Sequence, residues 1–187
     1  MKFIGDRISI QQKEKDLSIV ILSFKDELKS KFLLLWVVLW SICGIAVLSQ
    51  YPTLSDPDIK TAIIVWMGFW AYFEYKIIAA YKWRKSGKEK IKIKDGNLFY
   101  LRSSGNKGKF KKYKTDFIKE LRFVEPKENS FFENLNESYW MIGNERIGFD
   151  YYGADIKFGI QLSTEEAREL LNILKRKIKE EENQQKN

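Results

Sequence analysis

Hydrophobic and polar positions along this chain fall into three successive patterns. Residues 32–49 (FLLLWVVLWSICGIAVLS) carry no ionisable side chain other than the thiol of Cys43, and residues 61–81 (TAIIVWMGFWAYFEYKIIAAY) are interrupted only by Glu74 and Lys76. At about 1.5 Å per residue, each run predicts a helix long enough to cross a hydrocarbon core of about 30 Å. Ahead of them, residues 16–25 (DLSIVILSFK) hold a β-branched apolar stretch too short to span. That stretch reads as a strand or as a short segment lying on a surface.

Beyond the second run the period shortens. Residues 90–94 (KIKIK) alternate strictly, Asp95-Gly96 is a hairpin turn signal, and residues 97–102 (NLFYLR) continue as the partner strand. Further strands are predicted at about residues 109–114, 117–124, 138–142, 146–151 and 154–162, punctuated by Gly105 to Gly108, by Gly143-Asn144 and by Gly153. The period then becomes helical. Ser163-Thr164-Glu165-Glu166 is a capping-box sequence, and Ala167, Leu170, Leu171, Leu174 and Ile178 follow on one apolar face.

The predicted organisation is an N-terminal segment 1–31, a hairpin 32–85 with spans at 32–49 and 61–81, a domain 86–180, and a fraying polar tail 181–187. The fold expectation is a membrane-anchored α+β protein. Its two-helix hairpin precedes an antiparallel β-sandwich or barrel of about seven strands with an amphipathic C-terminal helix.

Charge refines the location. Lys25, Lys29 and Lys31 precede the first run and Lys82, Arg84, Lys85 and Lys88 follow the second, whereas the connecting loop has Asp56 and Asp58 against Lys60. The positive-inside rule then places both termini in the cytoplasm, as a multi-pass protein of the plasma (inner) membrane. A net charge of +8 and an isoelectric point near 9.3 accord with Lys and Arg beside an anionic leaflet, and make nucleic acid a weaker partner class. The first apolar run begins too late for a secretory leader, so the first helix is expected to stay in the mature protein.

Composition also narrows the chemistry. Histidine is absent and Cys43 is the single cysteine. Ser-His-Asp and Cys-His catalysis, His-ligated metals and intramolecular disulfides are therefore excluded. No cofactor or metal is expected, and binding is expected rather than catalysis. The Gly105 to Lys109 stretch lacks the spacing and the Ser/Thr of a Walker loop and reads as a turn. Asp150, Tyr151, Tyr152 and Asp155 read as a turn between strands.

Three features remain as candidate sites. Lys107, Lys109, Lys111, Lys112 and Lys114, interleaved with Phe110 and Tyr113, form a cluster suited to anionic lipid, an acidic protein or RNA, or to a solvated protective edge. Phe131-Phe132, within the polar residues 126–138, suit insertion into a membrane interface or a partner, or packing back on the sheet. Glu74 is the intramembrane polar residue, with readings as a snorkelling interfacial group, an inter-helix hydrogen bond such as one to Ser41, or part of a transport path. Trp36 with Trp40, and Trp66 with Trp70, share helix faces that suit packing and interfacial anchoring, or a ligand site, and on the effector reading would hold a homo-oligomer together.

The two-helix hairpin, the stretch from Trp83 to Gly96, and the ending IKFGIQLSTEEARELLNILKRKI resemble bacterial membrane proteins with a PH-like domain on their cytoplasmic side. Phe158-Gly159, Leu162-Ser163 and Glu166-Ala167 carry the likeness. The photosystem I assembly factor is similar in layout. This resemblance implies a bent β-sandwich plugged by its C-terminal helix, and a function in binding. The tight turn Lys94-Asp95-Gly96-Asn97 departs from the long basic loop of phosphoinositide-binding PH domains. The expected function is a non-enzymatic membrane protein that presents a binding or scaffolding domain to a protein partner. The alternative is a membrane-perturbing effector whose β-rich domain senses a ligand or partner and whose helices oligomerise.

Overall fold

The computed structural model describes residues 1–13, 16–105, 108–125 and 142–185. Three strands come first: β1 (Lys2–Ile4), β2 (Ile8–Lys13) and β3 (Asp16–Leu22). Two long helices follow, α1 (Glu27–Gln50) and α2 (Pro57–Ser86), joined through a 3-10 turn at Tyr51–Thr53. Then come β4 (Gly87–Lys94), β5 (Asn97–Ser104), β6 (Lys111–Lys114), a second 3-10 turn at Thr115–Phe117, β7 (Ile118–Phe123), β8 (Glu145–Tyr151), β9 (Ala154–Ile160) and α3 (Thr164–Gln185).

The strands form two open antiparallel sheets. The larger has the order β1-β2-β3-β4-β5-β6 and the smaller β7-β8-β9. This corrects the expectation of a closed, PH-like sandwich or barrel of about seven strands. Half of the larger sheet is built from residues ahead of the hairpin, and it ends in the short strands β1 and β6. Neither end strand is hydrogen-bonded to the smaller sheet among the described residues, so no continuous ladder closes on itself.

Alternation explains which face is buried. In β3, Leu17, Ile19 and Ile21 point inward, and in β4 Glu89, Ile91 and Ile93 do, while the intervening lysines of β4 point out. The register holds these rows together, with Leu17 opposite Ile93 and Ile93 opposite Leu98. Asp95 and Gly96 both have positive φ, as a two-residue type I′ hairpin requires. The inner faces of both sheets meet α3 in one core, where Ile19, Ile93, Ile147, Phe149, Leu170 and Leu174 are fully or almost fully buried. Helix α3 starts with a closed capping box: Ser163 Oγ accepts from Glu166 N at 3.1 Å, and Ser163 N donates to Glu166 Oε2 at 2.8 Å. It extends through Gln185, and Glu181, within the segment predicted as a polar tail, is buried.

Helices α1 and α2 pack against each other and leave most of their surface uncovered. Both are long and apolar enough to cross a membrane, and only 11% and 6% of their most apolar windows is buried. Phe32, Leu35, Ile42, Ile45, Phe69 and Phe73 are all exposed. The helices approach closely at Gly44, where a Cβ would overlap the ring of Trp70. Trp70 Nε1 donates to the Trp40 carbonyl at 3.2 Å, and Trp36 stacks on Trp40 at 5.9 Å. The helix starts are capped by Asp26 and Asp56, whose side chains accept from Lys29 N and Asp58 N.

Candidate functional site

The hairpin is inserted between two neighbouring strands. Chain leaves the larger sheet at the end of β3, runs through α1 and α2, and re-enters at the start of β4, which pairs with β3 from Leu22↔Lys88 to Leu17↔Ile93. The junction is stitched by hydrogen bonds: Ser23 N to Gly87 O (3.0 Å), Gly105 N to Ser86 O (3.1 Å) and Ser23 Oγ to Arg84 O (3.1 Å). Arg84, read from sequence as a basic flank, is buried at this junction beside Trp83.

From the junction a lysine-rich face extends along the outer side of the larger sheet. Strict alternation in β4 places Lys88, Lys90, Lys92 and Lys94 on the face opposite the core. Strand pairing adds two lysines of β6: Lys92 lies opposite Phe99 and Phe99 opposite Lys112, while Lys94 lies opposite Asn97 and Asn97 opposite Lys114. Asp16 on β3 answers Lys92 at 3.3 Å and Lys94 at 3.7 Å. Lys88, Lys90, Lys112 and Lys114 make no ion pair among the described residues. Lys112 Nζ sits over the Phe99 ring at 5.9 Å. Nearer the junction, the backbone of Gly108 lies against Leu101 and Ser103 and covers them.

The sequence-predicted cluster therefore divides. Lys112 and Lys114 join this face, Lys111 is exposed on the opposite side of β6 across from Tyr100, Lys109 is exposed ahead of β6, and Lys107 lies outside the described residues. Phe131 and Phe132 also lie outside them. The four β4 lysines were not among the candidate site residues read from sequence, where Lys88 served as a basic flank, although the alternation KEKIKIK was the signal that places them on one side.

Glu74 is 8% exposed and faces α1, where Ser41 Oγ donates to its Oε1 at 2.5 Å; its Oε2 is buried with no hydrogen-bond partner among the described residues.

A buried polar network on the inner side escaped the sequence reading. Glu89, 1% exposed, accepts from Tyr100 OH at 2.5 Å through Oε1, and from Gly159 N at 3.0 Å and Ile160 N at 2.9 Å through Oε2. Arg102 lies 3.5 Å from Glu89, donates to Tyr100 OH at 3.1 Å and bonds Glu145 at 2.8 Å. Burial, and then the Glu89 charge, push the Tyr100 hydroxyl well above the usual tyrosine range. Burial lowers the Arg102 pKa, but Tyr100, Glu89 and Glu145 together outweigh it and the net shift is upward. With its oxygens satisfied from β5 and β9, Glu89 acts as a clamp between the two sheets.

Beside the clamp a cleft of ≈ 640 Å³ opens, lined by Arg7, Phe24, Lys29, Arg146 and Glu166 among others. Arg7 is committed to structure there: it donates to the carbonyls of Gln161 (2.7 Å), Leu22 (3.1 Å) and Ile160 (3.2 Å), and burial lowers its pKa.

Compared with known protein families, with curated proteins and with solved structures, the chain matches none of them.

Proposed function

We propose that this protein is a membrane-anchored binding module: a two-sheet β-domain held at the cytoplasmic face of a bilayer by its helical hairpin, where it recruits or scaffolds a partner. The observation that carries this reading is the insertion of the hairpin between paired strands. Because β3 and β4 are hydrogen-bonded neighbours, both outer ends of the hairpin meet the sheet at the same end of its strands, and the sheet cannot be divided by a bilayer. The N-terminal strands and the C-terminal helix then lie on one side. Lysines at the flanks select the cytoplasm for that side.

The exposed surface of α1 and α2 supports lipid as their solvent, since a helix serving as the core of a soluble fold would be largely covered. Binding rather than catalysis is supported by the absence of histidine and by the use of the best buried polar network as a clamp. The test is labelling of intact cells with an impermeant thiol reagent, in a Cys43→Ser background. A cysteine at Ser55 should react and one at Asn183 should not; the opposite pattern, or reaction at neither, would overturn the anchored reading. Depolarisation of cells on expression would shift it to a membrane-perturbing effector.

A further inference from the structure

We propose that the outer face of the larger sheet, centred on Lys90, Lys92, Lys112, Lys114 and Phe99, docks an acidic segment of a partner protein. This inference goes beyond the anchored reading and relies on it only for which end of the sheet meets the bilayer.

Complementarity comes first. Six lysines, Lys88, Lys90, Lys92, Lys94, Lys112 and Lys114, share one face, and the acids that answer them are Asp16 from β3, against Lys92 and Lys94, and Asp95, 4.0 Å from Lys94. Along β4 they recur at every second residue, or about 6.6 Å, which is also the spacing of alternate side chains in an extended polypeptide. An acidic segment lying along the strand would meet successive lysines in register. Phe99, at the centre with Lys112 over its ring, offers an apolar contact between the charges, an arrangement that solvation of lysines alone does not need.

Location then selects among anions. β3 ends, β4 begins and β5 ends at the hairpin junction. Lys92 and Lys94, and the β6 lysines level with them, therefore lie about 17 to 23 Å along the strand from Gly87. That is more than two screening lengths of about 8 Å at physiological salt. The juxtamembrane residues Lys25, Lys29, Lys31, Lys82 and Lys85 are nearer to the headgroups, so the distal lysines are placed for a partner from solution. A second copy of this chain is a poor occupant, because each copy carries a net charge of +8.

The experiment uses the full chain in phosphatidylcholine nanodiscs and follows the fluorescence anisotropy of labelled poly-L-glutamate at low and at physiological salt. Binding that weakens with salt is expected. The triple reversal Lys90→Glu, Lys112→Glu, Lys114→Glu should weaken it about tenfold or more, since exposed pairs contribute little singly and add across a face. Reversal of Lys175, Arg176 and Lys179 on α3 changes net charge equally and should leave it nearly unchanged. Equal loss in both variants would overturn the proposal, because it would reduce the effect to net charge. So would quenching of a fluorophore at Lys112→Cys (in the Cys43→Ser background) by headgroup quenchers in anionic nanodiscs, which would make the bilayer the occupant. Tighter binding of poly-uridylate than of poly-glutamate, lost on Phe99→Ala, would assign the face to nucleic acid instead. A chain that stays out of nanodiscs would refute the anchoring reading, and the same titration on that chain in buffer would still decide this one.

Discussion

At the scale of single residues, Glu89 shows how a buried charge is tolerated. Its carboxylate receives a phenol hydrogen bond from β5 and two backbone hydrogen bonds from the end of β9, so removing a donor leaves an acceptor unsatisfied inside the protein. Tyr100→Phe should cost about 1 to 3 kcal/mol in urea unfolding of the full chain in detergent. The pH dependence follows from the same contact. An unfolded tyrosine ionises near pH 10, whereas folded Tyr100 holds its proton to higher pH. The folded state then binds more protons than the unfolded one above about pH 10, and stability falls as pH rises beyond it. Tyr100→Phe should flatten that alkaline decline, and an unchanged slope in the variant would remove the basis for it. Glu181 repeats the theme at the other end of the core. It accepts from Gly96 N at 2.8 Å and pairs with buried Lys177 at 3.0 Å. Glu181→Ala should destabilise by about 1 to 3 kcal/mol, because it takes the acceptor from Gly96 N and leaves Lys177 with Glu180 alone, 3.8 Å away.

At the scale of elements, α3 and the hairpin make opposite uses of apolar surface. Helix α3 buries one face against both sheets: Leu170 and Leu174 are fully buried. Leu174→Ala should cost about 2 to 5 kcal/mol, the range for a leucine whose cavity the core refills only in part, and the denaturant midpoint of the full chain in detergent measures it. Helices α1 and α2 instead cover little of each other, and their contact depends on a glycine. Gly44→Leu drives a side chain into the Trp70 ring, which already occupies the space of a Cβ. Splaying of the two helices should appear as increased acrylamide quenching of tryptophan fluorescence, against unchanged quenching if the ring can simply move.

At the scale of the whole molecule, the β-domain is assembled from two chain segments separated by the hairpin. β4 draws one neighbour from each: β3 from before the hairpin and β5 from after it. A fragment of residues 87–183 should therefore fail to fold, since β4 would lose β3 and the core would lose Ile8, Ile19 and Ile21. Joining Ser23 to Gly87 through a short glycine-rich turn should restore a folded, water-soluble domain, because these residues are already hydrogen-bonded neighbours at 3.0 Å. Circular dichroism with one-dimensional proton NMR of both proteins checks this. A well-folded 87–183 fragment would show that the N-terminal strands are dispensable.

What the sequence by itself determined is what local pattern can encode. Long apolar runs specified α1 and α2, strict alternation specified β4, a β-branched run left β3 open between a strand and a surface segment, Asp95-Gly96 specified the hairpin between β4 and β5, and the Ser163 to Glu166 box with its apolar face specified α3. Each of these signals is complete within about one element's length. The tertiary structure decided how the strands share ladders. Strands β1 and β2 are too short or too polar to declare themselves, and β3 finds its second partner, β4, only across the entire hairpin, a pairing that no local period records. For the same reason the lysines of β4 and β6 become one face only once register sets Phe99 between Lys92 and Lys112. Glu89 reads as one more charge in an alternating strand until β5 and β9 close on it, because the donors that satisfy a buried carboxylate come from residues remote in sequence.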